Sequence, residues 1–441
     1  MNNLKYAKNA LRLVLFEKKI PALFKEGAIV SFTEYLMLGA LFGINIILNR
    51  YYDTAALGTF TFAYTIAQIS MIGIGGALTP LLRREIVTQS DSTTKFIINV
   101  LQLKIMLLVL CLLISLIISF FLHKENVAIS YFIMAMIFVK GMDSLSETFY
   151  TSYQSVSNYR IYAYIKTFNA GANILGVFIL AYLNYAVQNV YIVLIIVSIL
   201  FFLINFLVST TLFTIGYNVV KEFGINSTKK YFFNQAWPLI VNSIFFQISS
   251  RVSVLFVFAI SGKIVSGVFS GAVMMVTVLT AFANALGIVF FPRLTKLFNT
   301  DKRAFFSYLK KISVMIFFIG LVLLGVFIIT LPIQFKIFGQ MPDYARNIFL
   351  IAGCSIPLAI LSGVLGNIFV VMHKQKLGMY ISFILLIVNS ILYYIIPTLN
   401  KTIGVSLAYL LSNLFIVGVF LYFISTIYKK TNFTEEQTIL S

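Results

Sequence analysis

Long apolar runs recur along the chain, and short polar stretches separate them. The hydrocarbon core of a bilayer is roughly 30 Å thick, so a helix needs about 20 apolar residues to cross it. The pattern therefore predicts twelve transmembrane helices. We place them at 27–49, 58–79, 96–122, 128–151, 161–183, 190–214, 237–260, 265–290, 312–331, 345–371, 378–396 and 403–427.

Composition supports this interpretation. Hydrophobic residues make up 60% of the 441 residues and charged residues only 11%, and the mean hydropathy is +0.96. Soluble domains carry about a quarter charged residues. The sequence thus indicates an all-α polytopic membrane protein.

The positive charge is distributed unevenly over the predicted loops. The formal net charge is +19, which by itself would also suit a protein that binds nucleic acid. With the N-terminus inside, 23 Lys and Arg residues fall on the inner side of the helices, 6 on the outer side and 4 within helices. An excess of cations marks the cytoplasmic side of a membrane protein. The bias therefore predicts that both termini are cytoplasmic, and it needs no nucleic acid as partner.

Short segments repeat at nearly constant spacing, which indicates an internal duplication. The offsets are 209, 212 and 216 residues, and the pairs are ALGTFTFA at 56–63 with VSGVFSGA at 265–272, LTPLLRRE at 78–85 with FFPRLTKL at 290–297, and NYRIYAYI at 158–165 with KQKLGMYI at 374–381. Six helices in each half return the chain to the side on which it started. The repeats therefore predict two six-helix bundles related by a pseudo-two-fold axis along the membrane normal, with a cleft between them.

These patterns divide the chain into five parts. The N-terminal segment contains KYAKNALRLVLF, whose cations and leucines are spaced as in an interfacial amphipathic helix. The predicted parts are a cytoplasmic amphipathic segment (1–26), an N-terminal bundle (27–214), a cytoplasmic linker (215–236), a C-terminal bundle (237–427) and a cytoplasmic tail (428–441).

Three segments resemble a known family. They are NRYYDTAALGTFTFA at the junction of helices 1 and 2, SSRVSVLFVFAISGKIVSGVFSGA in helices 7 and 8, and the proline-containing exit VFFPRLTKL after helix 8. Nearly the whole chain is similar to the polysaccharide or O-antigen flippases of Wzx type, in the superfamily that also holds the MATE multidrug exporters and the lipid II flippases. One departure is clear: Ser253 stands where an acidic residue often follows the helix 7 arginine.

This resemblance implies a function. A member of that family moves a polyprenyl-pyrophosphate-linked oligosaccharide from the cytoplasmic to the outer leaflet by alternating access, for O-antigen or capsule synthesis. The implied location is a bacterial cytoplasmic membrane, and the implied partners are the lipid-linked oligosaccharide, membrane lipids and a coupling ion, either a proton or sodium. The alternative is a MATE-like ion-coupled multidrug exporter.

Four cations lie within the predicted helices, where an ionisable group costs about 2.5–3.5 kcal/mol on insertion scales and so faces a cavity or a partner. Arg251 and Lys140 lie near the midplane, whereas Lys104 and Lys166 lie nearer the cytoplasmic ends. We interpret all four as cavity cations for the substrate diphosphate. The alternatives are an ion pair of Lys140 with a helix 4 acid, and lysines 104 and 166 that reach the interface instead.

Carboxylates and amides complete the predicted cavity. Asp143 and Glu147 lie on one polar stripe of helix 4 with Lys140, and helix 1 adds Glu34. These three acids are the candidates for ion coupling, because a carboxylate that binds a proton or sodium changes its preferred partner. The further polar residues predicted to line the cavity are Gln68, Gln247 and Asn284.

Other protein classes fit the sequence less well. The two histidines lie at opposite membrane sides, no metal-ligand spacing occurs, and the glycines of GIGGALTP at 73–80 lack the strand of a nucleotide-binding motif. We therefore expect no enzyme, no metal and no cofactor. A multidrug exporter with cationic substrates is disfavoured by a cleft that holds Arg251 and Lys140 without compensating acids.

The topology generates the first prediction. Alkaline phosphatase fused after Ser441 should be inactive, because the cation bias places this end in the cytoplasm. The same fusion in the outer loop 332–344 should be active, which controls for expression. High phosphatase activity after Ser441 would contradict the twelve-helix topology.

Overall fold

The computed structural model describes residues 19–75, 78, 82, 86, 93–122, 127–156, 158–213, 227–339, 341–372 and 374–440. In that part of the chain the regular structure is entirely helical. The helices are α1 (Lys19–Ile47), α2 (Thr54–Gly75), α3 (Thr93–Leu122), α4 (Val127–Ser155), α5 (Tyr159–Tyr182), α6 (Gln188–Phe213), α7 (227–261), α8 (263–300), α9 (Lys302–Phe338), α10 (Ala345–Gly353), α11 (Ile356–Val371), α12 (Gln375–Leu399) and α13 (Ile403–Leu440).

Each predicted apolar run overlaps a described helix. Within the described residues, nine helices are long and apolar enough to cross a membrane, or ten if the bent pair α10–α11 counts as one span. The helix count of twelve therefore stays a prediction, but the all-helical membrane architecture is confirmed.

The outer surface of the helices is apolar. Leu399 is 82% exposed, Ile329 79% and Phe168 69%. A continuous surface of this kind is unfavourable in water and is suited to lipid. The protein is thus a multi-pass membrane protein.

Helix ends follow local chemistry rather than the apolar runs alone. The α9 helix starts ten residues before the predicted run, because the Asp301 carboxylate accepts a hydrogen bond from the Ala304 amide at 2.9 Å and caps it. It ends at Gly339, whose φ of 86° is readily adopted only by glycine.

The expected single helix at 345–371 is wrong. The chain breaks between α10 and α11, and the two segments are bent by 41°. Pro357 lies in the first turn of α11 and has no amide hydrogen to continue the hydrogen bonds of α10. The Ser355 hydroxyl donates to the Ala352 carbonyl at 2.6 Å instead.

Helices α7 and α8 form one continuous segment, Ser227–Thr300, interrupted by a turn at Gly262. The φ of Gly262 is 83°, which is strained for other residues. The junction between α1 and α2 is also tight: α1 passes into a π-helical turn, Leu48–Tyr52. Both junctions lie at the same end of the molecule, which we call the Gly262 end.

Buried apolar residues form two separate cores. One contains residues from Ile44 to Phe201 on the first six helices, and the other contains residues from Val252 to Ile424 on the later helices. Each half thus buries its own apolar surface. This division agrees with two bundles of helices.

Helices α2 and α8 cross in backbone contact at two glycines. A Cβ atom on Gly58 would collide with the Lys263 carbonyl oxygen, and one on Gly267 would collide with the Thr54 carbonyl oxygen. Residues 54 and 263 differ by 209, as do 58 and 267, so each half makes the same contact with the other. Reciprocal contacts of equivalent residues define a two-fold relation. The predicted offset of 209 and the pseudo-two-fold arrangement are therefore confirmed.

Further contacts join the halves along the same seam. The Asn49 amide donates to the Phe338 carbonyl at 2.7 Å. The Tyr35 hydroxyl donates to the Ala281 carbonyl at 2.6 Å. Tyr35 lies twelve residues before the end of α1, about 18 Å along the helix. Contact between the halves therefore extends from the Gly262 end deep into the molecule.

The glycine crossing generates the second prediction. Gly58→Ala and Gly267→Ala should each destabilise the protein by roughly 1–3 kcal/mol, because the added methyl group must push two helix backbones apart. Thermal unfolding of the detergent-purified protein measures the effect. The matched control is Gly171→Ala on α5, where a Cβ meets nothing within 4 Å. Equal melting temperatures for all three variants would contradict the close crossing.

Candidate functional site

An ion pair joins α1 to α5 in the first half. The Lys166 ammonium lies 2.5 Å from Glu34 Oε1, and the Tyr162 hydroxyl donates to the same oxygen at 2.5 Å. The Glu34 side chain is 51% exposed, whereas that of Lys166 is 17% exposed. Oε1 of Glu34 therefore accepts hydrogen bonds from both groups, while the Glu34 side chain stays accessible.

A second ion pair lies on α4. The Lys140 ammonium donates to Asp143 Oδ2 at 2.8 Å, one turn along the same helix. It also lies 4.7 Å from the centre of the Tyr64 ring on α2, which is close enough for a cation–π contact. The alternative prediction, an ion pair of Lys140 with an acid on the same helix, is confirmed. The expectation that Lys140 lacks a compensating acid is wrong, because the spacing of three residues places both side chains on one helix face.

Arg251 is contributed by the second half. It is half-buried on α7 and lies close enough to Tyr64 for the two side chains to interact electrostatically. Tyr64 belongs to the first half, so the same side chain interacts with Lys140 of its own half and with Arg251 of the other. The structure therefore brings the two predicted midplane cations to a common neighbour.

Tyr64 is the central residue that the sequence did not identify. Its hydroxyl accepts a hydrogen bond from Gln68 Nε2 at 3.0 Å, which places Gln68 in the same polar group. The sequence did contain a pattern that includes this residue: Thr61, Tyr64 and Gln68 are spaced so that they share one face of α2. Tyrosines that face lipid or the core are far commoner than tyrosines in a polar site, so the residue type alone did not single out Tyr64.

Lys104 has a packing role in the structure. Its side chain is fully buried, and Nζ donates to the Ser144 carbonyl at 2.7 Å, so it fastens α3 to α4. Glu147 is near enough to act on it electrostatically, and the Glu147 side chain is exposed. The lysine therefore lies in the interior between α3 and α4 and does not face a cavity surface.

Two further residues, Gln247 and Asn284, are predicted to line the cavity. The side chains of Gln247 and Asn284 lie outside the described residues. Nothing is therefore added to the prediction that they line the cavity.

A buried polar brace supports α4 from behind. Asn205 on α6 donates to the Tyr150 hydroxyl at 3.2 Å. The Tyr153 hydroxyl donates to the Asn205 carbonyl at 3.0 Å and lies 2.8 Å from Ser209. These bonds satisfy polar groups that would be costly in an apolar interior. They join α4 to α6 at positions ten residues beyond Lys140 and Asp143.

The resulting site combines two ion pairs of the first half with Arg251 of the second half, which interacts with Tyr64. We call the residues Glu34, Tyr64, Lys140, Asp143, Lys166 and Arg251 the inter-half cluster. Its cations have several hydrogen-bond donors, and its carboxylates are partly exposed. Such a group can exchange internal partners for those of a charged ligand.

Comparison with known proteins identifies the family. Residues 23–298 match the model of the family described as polysaccharide biosynthesis protein. A curated relative is the capsular polysaccharide biosynthesis protein CapF of Staphylococcus aureus, 27% identical over 218 residues. That match covers 48% of this chain and 54% of CapF, so the chain spans about half the length of this relative.

Solved structures share the fold at low identity. An inward-facing MATE family multidrug resistance transporter of the MOP superfamily has a TM-score of 0.68 and 13% identity, over 90% of this chain and 96% of its own. The lipid II flippase MurJ in an inward closed conformation has a TM-score of 0.66 and 16% identity, over 91% and 87%. A MOP superfamily transporter from Pyrococcus furiosus has a TM-score of 0.61 and 14% identity, over 91% and 96%.

The family match covers more than half of the chain, and the structural matches cover about nine-tenths of it with one architecture. The helical bundles, the duplicated halves and the absence of an enzyme-like motif in the sequence agree with both. The chain therefore belongs to the polysaccharide biosynthesis protein family and has the fold of the MATE transporters and the lipid II flippase.

Proposed function

We propose that this protein is a flippase that carries a polyprenyl-pyrophosphate-linked oligosaccharide from the cytoplasmic to the outer leaflet by alternating access. The product serves the synthesis of a cell-surface polysaccharide. The family match and the likeness to a lipid II flippase support the class of transporter. The position of Arg251 between the two halves carries the choice of an anionic, lipid-linked substrate.

The second half offers Arg251 no carboxylate from within its own spans. The sequence contains no Asp or Glu between Glu222 and Asp301. In the C-terminal bundle, 237–427, only Asp301 and Asp343 are acidic, and both are exposed at helix ends. Arg251 thus belongs to a half whose membrane spans contain no acidic residue. Its planar set of donors suits the oxygens of a diphosphate.

The first half supplies exchangeable cations. Lys140 and Lys166 are each held by one carboxylate, and a diphosphate can replace that carboxylate as the partner. Fixed cations offset the desolvation of the diphosphate, and the diphosphate offsets theirs. Because the carboxylates compete for the same ammonium groups, the substrate can also be released.

Ion coupling follows from the same competition. Protonation of Asp143 or Glu34 removes the charge that holds the neighbouring lysine. The lysine is then available to the substrate, so that the proton and the substrate favour the same state and are carried in the same direction. A proton or a sodium ion bound at these carboxylates would thereby couple export to an ion gradient that is directed outward.

A multidrug exporter is the second candidate. The observation that favours it is the exposure of acids in the first half, since Glu34 is half-exposed and Glu147 is exposed. A cationic drug would use those carboxylates and would be repelled by Arg251. The two functions therefore require opposite effects when the arginine charge is removed.

Arg251 generates the third prediction. Arg251→Ala should reduce surface display of the glycan roughly thirtyfold or more, because loss of one member of a desolvated charge pair costs at least about 2 kcal/mol. Arg251→Lys should retain part of the display, since the charge survives and the planar fork does not. Glycan display is measured in a strain that lacks its own flippase, at equal protein abundance in membranes.

The matched control is Arg346→Ala, which removes an exposed arginine at the start of α10. It should leave display unchanged. Normal display by Arg251→Ala at equal abundance would overturn the anion site. Improved export of a cationic dye by that variant would favour the multidrug exporter.

Asp143 generates the fourth prediction. Asp143→Asn should raise the affinity for a polyprenyl diphosphate several-fold, because Lys140 loses the carboxylate that competes with the ligand. The same variant should transport with weaker dependence on pH. Ligand binding to the purified protein and flipping in proteoliposomes at several pH values measure the two effects.

Glu147→Gln is the matched control on the same helix. Its side chain is exposed and one turn away from Asp143, so affinity should change little. If Asp143→Asn kept wild-type affinity and wild-type pH dependence, the Lys140–Asp143 pair would be structural.

A further inference from the structure

A groove on the second half lies apart from the inter-half cluster. It has a volume of about 580 Å³, and its walls are the beginning of α9 and the end of α13. Leu361 and Leu365 of α11 form its floor. None of its lining residues belongs to α7 or α8, so the groove does not share a helix with Arg251.

The two ends of the groove differ in chemistry. Arg303 and Phe317 mark the two ends on α9, and Lys310 lies midway between them, seven residues from each. Fourteen residues separate Arg303 from Phe317 along α9, about 21 Å of helix. An acyl chain of ordinary length is similar in extent. The groove therefore has the length of an acyl chain, with two cations along its first half and apolar residues beyond Lys310.

The Arg303 end of the groove lies at the level of the lipid headgroups. The apolar part of α13 ends at Tyr428, and Lys429 and Lys430 follow it in the sequence. The Tyr428 ring contacts Phe306 of α9 edge to face, with 4.9 Å between ring centres. Tyrosines concentrate at the membrane interface, where one end is apolar and the other is wet. The interior of the groove therefore extends from this interface into the hydrocarbon.

The positive charge of the groove lining favours anionic lipids. Its described lining residues include two cations and no carboxylate. Lys302 and Lys311, both exposed, add positive charge on the same helix. Hydroxyl groups of Ser307 and Ser425 also line the groove. This end of the molecule is complementary to a phosphate-bearing headgroup.

We propose that this groove is a binding site for an anionic diacyl phospholipid, such as phosphatidylglycerol, from the leaflet that the cation bias assigns to the cytoplasm. The phosphate lies between Arg303 and Lys310, and one acyl chain occupies the interior over Leu361 and Leu365. Each basic residue near an anionic lipid contributes roughly a fivefold preference. Arg303 and Lys310 together give a preference of roughly 25-fold over a zwitterionic lipid of the same chain length.

Fluorescence quenching tests this site in the full-length protein. The chain has one tryptophan, Trp237, so Trp237→Phe combined with Leu421→Trp places a single fluorophore on the groove wall. The variant is reconstituted in nanodiscs of phosphatidylcholine that contain a small fraction of brominated phosphatidylglycerol or brominated phosphatidylcholine. The anionic lipid should quench at roughly 25-fold lower mole fraction, and added salt should reduce the difference.

The control separates a site from general surface charge. Arg303→Ala with Lys310→Ala, in the same background, should abolish the preference for phosphatidylglycerol. Lys302→Ala with Lys311→Ala removes the same charge from the same helix outside the groove lining and should leave most of the preference. Equal quenching by the two brominated lipids, or equal losses in the two double variants, would overturn the proposal.

A last arm distinguishes the phospholipid from the transported lipid. Polyprenyl diphosphate added at equimolar amounts to the brominated phosphatidylglycerol should leave the quenching unchanged, since the groove is distinct from the inter-half cluster. Full displacement would assign the groove to the substrate and overturn the phospholipid. This outcome does not depend on whether the protein is a flippase.

Discussion

The direct contact between the backbones of α2 and α8 is the constraint on which the remaining architecture depends. Two helices can approach so closely only where neither has a side chain, and Gly58 and Gly267 provide this at equivalent positions. The crossing fixes the distance between the halves near the Gly262 end. Tyr64, two turns further along α2, interacts with Lys140 of its own half and with Arg251 of the other.

Much of this arrangement could be predicted from the sequence, because it depends on periodic patterns. The apolar runs located the helices, and the offset of 209 residues paired Gly58 with Gly267. Lys140 and Asp143 were recognisable as neighbours from their spacing of three residues. Local spacing and repeats are properties that a single sequence records directly.

Contacts between distant segments could not be predicted in this way. Glu34 and Lys166 are separated by 132 residues, and no pattern in the sequence relates one to the other. The bend at Cys354 and Ser355 was also missed, although Gly353 and Pro357 mark it in the sequence, because hydropathy averaged over the whole run predicts one span. The burial of Lys104 depends on how α3 packs against α4, which hydropathy alone does not specify.

A hydrogen bond on the pseudo-two-fold axis shows what the fusion of two halves allows. Ser270 Oγ donates to Thr61 Oγ1 at 3.0 Å, although the two positions are equivalent at the offset of 209. Thr61 in turn donates to the Leu57 carbonyl at 3.0 Å, so the two hydroxyls have unequal roles. A symmetric homodimer would duplicate every charge, with two arginines facing each other across its axis. In one fused chain the halves diverge, so that Glu34, Asp143 and Glu147 belong to the first half and Arg251 belongs to the second. The two sides of the interior therefore differ in charge, which a symmetric homodimer does not allow.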